Sequence, residues 1–194
     1  MNQLNNTIRS VTMSMIFMAA SSLASANQDS ILSAKEQQAI DGLKEKGITE
    51  VYLLNEQAAI LKYVKNGEII MTAPAISGKH KGDTITDHKE ATPAGIFELR
   101  AYLNGEDIQY YRVGREAYLI HETGPIRRKL LSKRGTTPSD SFRVSSGCIN
   151  IVPSDFRQIY NNVANAQKAS FLFVMPEKEM DMDKALQSFH LEND

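Results

Sequence analysis

The chain has 194 residues, 22 Lys+Arg against 23 Asp+Glu for a formal net charge of −1, 42% hydrophobic residues, one cysteine and no tryptophan. This charge balance argues against a nucleic-acid binder, which carries a strong basic excess. The length suits one domain after a leader, and a chain of about 150 residues buries roughly two-thirds of its unfolded surface, enough for a core without disulfides.

Residues 1–26 read as a cleavable signal peptide: Arg9 supplies positive charge, 11–20 (VTMSMIFMAA) form an uncharged apolar run, and Ala24-Ser25-Ala26 fits a cleavage site. The run is shorter than the roughly 20 apolar residues of a bilayer span, and no cysteine lies near the cleavage site to carry a lipid. The expectation is an exported protein of the periplasm or cell wall, without a membrane anchor.

Residues 27–47 are predicted as an N-terminal helix. Ser33 with Glu36 makes a capping box and Gly47 suits the position after the C-cap, so 33–46 is helical with Ala39, Ile40 and Leu43 on its apolar face. The pattern then turns to strands at 51–55 and 58–64. Asn66-Gly67 signals a hairpin whose type I′ turn needs positive φ at both central residues, and 68–76 is its return strand. A polar segment covers 77–92. Strands follow at 96–100, 109–113 and 117–121, the last two around Gly114-Arg115. A short helix opens near Pro153 and runs to about 163, and 169–175 is a buried strand. The tail, 176–194, carries Met182, Leu186 and Phe189 at helical spacing. Short strands with hairpin turns predict a mainly β protein, an antiparallel β-sandwich or partly closed barrel with peripheral helices.

The chemistry centres on Ser145-Ser146-Gly147-Cys148-Ile149-Asn150. A lone cysteine in an exported chain has no intramolecular partner, so it is inert, pairs with another molecule, or reacts. The preceding glycine and two hydroxyls place it on a turn leading to an exposed position. A thiol nucleophile needs a base, usually imidazole. Of the four histidines, His121 ends the apolar strand Tyr118-Leu119-Ile120 and is the most rigidly placed, so it is the candidate partner. The alternative is a strand-end histidine without a catalytic role, since spacing alone does not establish adjacency.

The strand ending in His121, the spacer and Ser-x-Gly-Cys-Ile-Asn resemble the L,D-transpeptidase (YkuD-type) catalytic domain. The resemblance extends to Val51-Tyr52-Leu53, the Asn66-Gly67 hairpin, Pro74-Ala75-Ile76-Ser77-Gly78 and Thr92-Pro93-Ala94-Gly95-Ile96-Phe97, and so covers residues 48–175. One departure stands out: Ser146 occupies the place of the family's usual histidine. The resemblance implies a β-sandwich and an exported enzyme that acts on peptidoglycan stem peptides through a cysteine thioester. Cys148 would be the nucleophile and His121 the general base and acid, oriented by a backbone carbonyl near Glu122 or Thr123. The Cys148 N–H, with Gly147 allowing close approach, would hold the oxyanion, and Asn150 would hold the loop. Ser145 and Ser146 complete that loop, and Thr123 and Arg143 are candidate substrate contacts. No metal or cofactor is expected. The acceptor is left open among another stem, a D-amino acid, an envelope protein and water. Water would make the enzyme a carboxypeptidase or amidase, and Ser146 also admits a non-catalytic wall-binding relative.

Two other clusters carry chemistry-bearing residues. His80, Asp83, Asp87, His88 and Glu90 include metal-ligand types but lack a His-x-x-x-His or His-Glu-x-x-His arrangement, so a solvated loop is the reading preferred. Arg127, Arg128, Lys129, Lys133, Arg134 and Arg143 form a basic stretch between His121 and Cys148. It is either a solvated mobile loop or a surface that attracts stem carboxylates.

Overall fold

The computed structural model describes residues 29–84, 90–103, 105–177 and 180–190. The expected leader at 1–26 lies outside them, as do Asp87 and His88. Helix α1 (Ala34–Glu45) begins with the capping box: Glu36 N–H donates to Ser33 Oγ at 3.3 Å and Ser33 N–H to Glu36 Oε2 at 2.8 Å. It ends in a Schellman motif, with Ile48 N–H to Leu43 O and Gly47 N–H to Lys44 O both at 2.9 Å.

Strands β1 (Glu50–Asn55), β2 (Ile60–Lys65) and β3 (Glu68–Gly78) form an antiparallel meander. The β2–β3 turn has the expected handedness, with φ +54° at Asn66 and +88° at Gly67. A second antiparallel run joins β4 (Gly95–Ala101), β5 (Asp107–Val113) and β6 (Glu116–Glu122). Then come α2 (Pro125–Leu131), a 3₁₀ turn (Ser139–Phe142), β7 (Arg143–Ser145), β8 (Ile149–Ile151), α3 (Pro153–Ala164), β9 (Ser170–Val174), α4 (Met182–Gln187) and β10 (Phe189–His190).

The sheet is mixed and closes on itself, which corrects the expectation of an antiparallel sandwich. β8 inserts between β6 and β3, parallel to the first and antiparallel to the second. β9 inserts between β1 and β4 with the same alternation. The path from β4 through β5, β6, β8, β3, β2 and β1 to β9 therefore returns to β4. Parallel neighbours arise because both inserted strands are reached by long connections rather than hairpins, and closure pairs strand edges that would otherwise be exposed.

Strand alternation divides the apolar side chains between two clusters. Tyr52 and Leu54 of β1 join Phe97, Ile120, Ile149, Ile151 and Leu172, under Phe156 and Ile159 of α3. Val51 and Leu53 face the opposite way, against Ala39, Ile40 and Leu43 of α1 and Ala185 and Leu186 of α4. The tail helix is shorter than its apolar spacing suggested: it ends at Gln187, and Phe189 enters β10, pairing with β4.

A buried ion pair fastens α1 to the sheet. Lys62 Nζ lies 2.9 Å from Glu36 Oε2 and also donates to Ile31 O at 2.9 Å, while Asn55 Nδ2 donates to Glu36 Oε1 at 3.2 Å. Burial alone would raise the Glu36 pKa, but hydrogen bonds from Ser33, Lys62 and Asn55 outweigh it and hold the carboxyl below its ordinary range. Glu36→Ala leaves the Lys62 charge buried and uncompensated, and is expected to cost about 3–5 kcal/mol. Replacing both residues by methionine is expected to cost less. Urea unfolding of wild type and both variants checks this ordering.

Candidate active site

Cys148 and His121 are brought together by the β6–β8 pairing. Ile120 lies opposite Ile149 and His121 opposite Asn150. Ile120, Ile149 and Ile151 are fully buried in the main core, so alternation turns His121, Cys148 and Asn150 to the other face. His121 and Cys148 are then diagonal neighbours, with Cα atoms roughly 8 Å apart by strand spacing and rise. Cys148 is partly exposed. His121 Nδ1 faces the Glu122 carbonyl at 3.3 Å. With Nδ1–H donating there, Nε2 is the basic nitrogen.

The loop carrying Cys148, 146–148, is held from both ends. Ser145 Oγ donates to Cys148 O at 2.5 Å and accepts from Gly147 N–H at 3.2 Å, and Asn150 Nδ2 donates to Cys148 O at 3.3 Å. Asn150 is itself held by Arg127 from α2, whose Nη1 donates to Asn150 Oδ1 at 2.5 Å while Nη2 reaches Val144 O at 3.2 Å. One guanidinium thus clasps the strands on either side of the loop.

Beneath the loop, the Gly147 carbonyl points inward. It accepts from Tyr110 Oη at 2.7 Å and Thr92 Oγ1 at 3.1 Å, and Thr92 Oγ1 accepts from Gly78 N–H at 2.9 Å. In a trans peptide the C=O and the following N–H point in opposite directions. Anchoring the Gly147 oxygen in the core therefore aims the Cys148 N–H outward, where an oxyanion donor is needed. Burial, then the nearby Cys148 and Glu56, push the Tyr110 phenol well above its ordinary pKa, so it stays a neutral donor.

Ser146, at the position of the family's usual histidine, has its Oγ 3.4 Å from Glu90 Oε1. Glu90 Oε2 also receives Lys79 Nζ at 2.6 Å and His80 Nε2 at 3.3 Å. Hydrogen bonding from Lys79 holds the Glu90 carboxyl below its ordinary range. A cation–carboxylate pair thus flanks the loop beside Ser146.

The two candidate substrate contacts are placed elsewhere. Arg143 is only 7% exposed. Its Nη1 lies 3.4 Å from Glu56 Oε1, and its Nη2 pairs closely with Glu177, so the guanidinium is not free to meet a stem carboxylate. Thr123 is 2% exposed and its hydroxyl is enclosed. Of the basic stretch, Arg127, Arg128 and Lys129 lie in helix α2, pinned through Leu131 against Ala59, Ile76 and Phe142, while Lys133 and Arg134 follow that helix and Arg143 opens β7. Arg134 is held by Asp29 and by Ala58 O. Of the six cations, Arg128, Lys129 and Lys133 remain exposed to attract anions.

In the polar segment, Asp83 is 2% exposed, and its carboxylate accepts from the Glu177 and Met180 N–H groups at 2.7 and 2.8 Å. Its role here is to fasten the chain after β9. Sequence reasoning placed Arg127 only in the basic stretch and gave no site role to Thr92, Tyr110 or Glu56. The helix carrying Arg127 had a readable signal, Gly124-Pro125 followed by Ile126 and Leu130 at i, i+4. The other three have no local signature. A groove of about 940 Å³ lined in part by Tyr52, Tyr63 and Asn162 includes neither Cys148 nor His121.

The family model of the L,D-transpeptidase catalytic domain (YkuD) matches residues 50–171. No curated protein is similar enough to match the chain. Among solved structures, an L,D-transpeptidase from Mycobacterium smegmatis is 18% identical, covering 65% of this chain and 58% of its own, with a TM-score of 0.41. The catalytic domain of the E. faecium L,D-transpeptidase is 18% identical, covering 64% and 95%, with a TM-score of 0.42. The helical cell shape determining protein Pgp2 from Campylobacter jejuni is 18% identical, covering 76% and 59%, with a TM-score of 0.43. The chain spans less than two thirds of the length of the first and third of these. The matched segment begins with β1, ends within β9 and includes both His121 and the Cys148 loop, and the chain belongs to the L,D-transpeptidase catalytic-domain family.

Proposed function

We propose that this protein is an exported cysteine L,D-transpeptidase acting on peptidoglycan stem peptides. The observation that carries this reading is the inward anchoring of the Gly147 carbonyl, which presents the Cys148 N–H and thiol together beside His121. His121 Nε2 takes the Cys148 proton as Sγ bonds to the carbonyl carbon between diaminopimelate and the terminal D-alanine of the stem. The oxyanion is held at the Cys148 N–H. Collapse breaks the C–N bond, and His121 returns the proton to the departing D-alanine amine, leaving a thioester. An acceptor amine then attacks the thioester carbonyl, His121 takes its proton, and the Cys148 thiol leaves reprotonated. Arg128, Lys129 and Lys133 attract stem carboxylates to the cleft. Among the described residues no helix is long and apolar enough to cross a membrane.

Incubation with defined muropeptides, followed by mass spectrometry, tests this reading. Cross-linked dimers support transpeptidation. Release of D-alanine without a new bond identifies a hydrolase, and unchanged substrate identifies a binding relative. Ser146 bears on acceptor choice, because a hydroxyl beside Glu90 is smaller than the imidazole it replaces and carries no charge. Wild type and Ser146→His are expected both to be active on the same muropeptides, with different product ratios. Activity in Ser146→His alone overturns the reading of the natural chain as an enzyme.

A further inference from the structure

We propose that Arg127 is a positioning residue for Cys148: its guanidinium fixes which way round the Asn150 side-chain amide sits, and through that amide the direction of the Cys148 carbonyl. This role rests on Cys148 being the nucleophile, and it falls to a cation outside the cysteine motif.

Asn150 lies in β8, two residues after Cys148, and is 1% exposed. Its amide has an accepting oxygen and a donating nitrogen of nearly the same shape, so the group fits either way round. Its two neighbours remove the choice. A guanidinium only donates, and a backbone carbonyl only accepts. Arg127 Nη1 lies 2.5 Å from Asn150 Oδ1, and Cys148 O lies 3.3 Å from Asn150 Nδ2. The reversed amide would set N–H against N–H at Arg127 and oxygen against oxygen at Cys148, leaving polar groups unpaired at both ends. The Arg127 contact is the shorter of the two and is charge-assisted, so it governs the orientation.

The Cys148 carbonyl matters because the residue is set between two peptide planes. The preceding peptide is anchored at the Gly147 oxygen by Tyr110 and Thr92. The following peptide is anchored at the Cys148 oxygen by Ser145 Oγ and Asn150 Nδ2. Each plane is rigid, so holding both fixes φ and ψ of Cys148 and with them the direction of its Cα–Cβ bond. The thiol is thereby aimed. Arg127 Nη2 meanwhile donates to Val144 O at 3.2 Å, so one guanidinium spans β7 and β8. It comes from α2, which begins four residues after His121, and Thr123 N–H ties that intervening segment to Ile151 O at 2.8 Å. Arg127 therefore links the segment that carries His121 to the loop that carries the thiol. Lysine would keep the charge, but its ammonium lacks the fixed fork that serves two acceptors at once.

Two measurements on Arg127→Met and Arg127→Lys test this. The first is the set of NMR amide resonances without substrate. In wild type the Asn150 side-chain NH₂ pair is expected to be protected from solvent exchange. In Arg127→Met that protection is expected to be lost and the Ser146, Gly147 and Cys148 amides to shift, while those of β1 and β2 stay in place. The second is acyl transfer. Arg127→Met is expected to lower kcat about tenfold with KM changed far less, since the thiol is misaimed rather than the substrate unbound. Arg127→Lys is expected to fall between wild type and Arg127→Met in both readouts. Unmoved Asn150 and loop resonances in Arg127→Met overturn the proposal. So does a lowered Tm with undiminished kcat, which marks a purely structural clasp, or a raised KM with undiminished kcat, which marks a substrate contact. If Arg127→Met does not fold, Arg127→Lys decides: identity with wild type in both readouts overturns the proposal. If the protein transfers no acyl group at all, the proposed function fails, but the resonances still decide whether Arg127 orients the loop.

Discussion

His121→Ala is expected to leave the fold intact and to reduce turnover on stem peptides by about a hundredfold or more, the scale for loss of a positioned acid–base group. The fold survives because His121 is a partly exposed strand-end side chain outside the buried clusters. Its ring Nδ1 faces the adjacent Glu122 carbonyl. Turnover falls because, in the proposed mechanism, the imidazole accepts the Cys148 proton and returns it to the leaving amine. His80→Ala is expected to do much less, since His80 lies against Glu90 on the surface beside the loop. Single-turnover acylation followed by mass spectrometry separates the two effects. A His121→Ala enzyme that acylates at the wild-type rate removes His121 from the mechanism.

Gly147→Ala is expected to be at least as damaging, through geometry rather than chemistry. Gly147 has φ +99°, a region that L side chains rarely adopt. A Cβ there would lie 2.4 Å from Tyr118 Cε1, 2.8 Å from Tyr118 Cδ1 and 2.9 Å from the Ala91 carbonyl oxygen. The ring edge can shift, but the Ala91 carbonyl is backbone and can do so only if the chain moves. Overpacking of this kind typically costs about 1–3 kcal/mol, and the left-handed conformation adds roughly 1–2 kcal/mol. The loop relieves that strain by rotating its peptides, which withdraws the Gly147 carbonyl from Tyr110 and Thr92 and turns the Cys148 N–H away from the cleft. A kcat loss of at least a hundredfold is expected, with a fall in Tm of several degrees. Retained kcat together with a lowered Tm would separate the strain from the oxyanion function and refute the role given to this peptide.

Much of the architecture was readable locally. The Ser33–Glu36 box, Gly47 and the Asn66-Gly67 turn each encode backbone geometry within a few residues, and each forms with the expected partners or φ values. The strand pairs around Gly67 and Gly114 follow because a hairpin is closed by its own turn. The connection from His121 to Cys148 was harder to read. Its basic composition left a solvated mobile loop and an anion-attracting surface both open, whereas Pro125 and Ile126 begin a short helix that Leu131 seals against the sheet. Charge density masked a helical signal too brief for periodicity to assert itself.

The chain by itself determined the mainly β character, the hairpin positions and the presence of a single thiol, because turn chemistry and residue identity are local properties, and it made His121 a candidate partner without placing it beside Cys148. Tertiary structure alone decided that β8 lies between β6 and β3, so that the sheet closes and His121 falls opposite Asn150. It also decided that Arg143 is buried between two carboxyls rather than presented to substrate. Finally, it placed Tyr110 and Thr92 beneath Gly147, 37 and 55 positions away along the chain. The physical reason is range. A backbone turn is set by the φ and ψ preferences of adjacent residues, whereas a hydrogen bond across the core exists only after distant strands have paired.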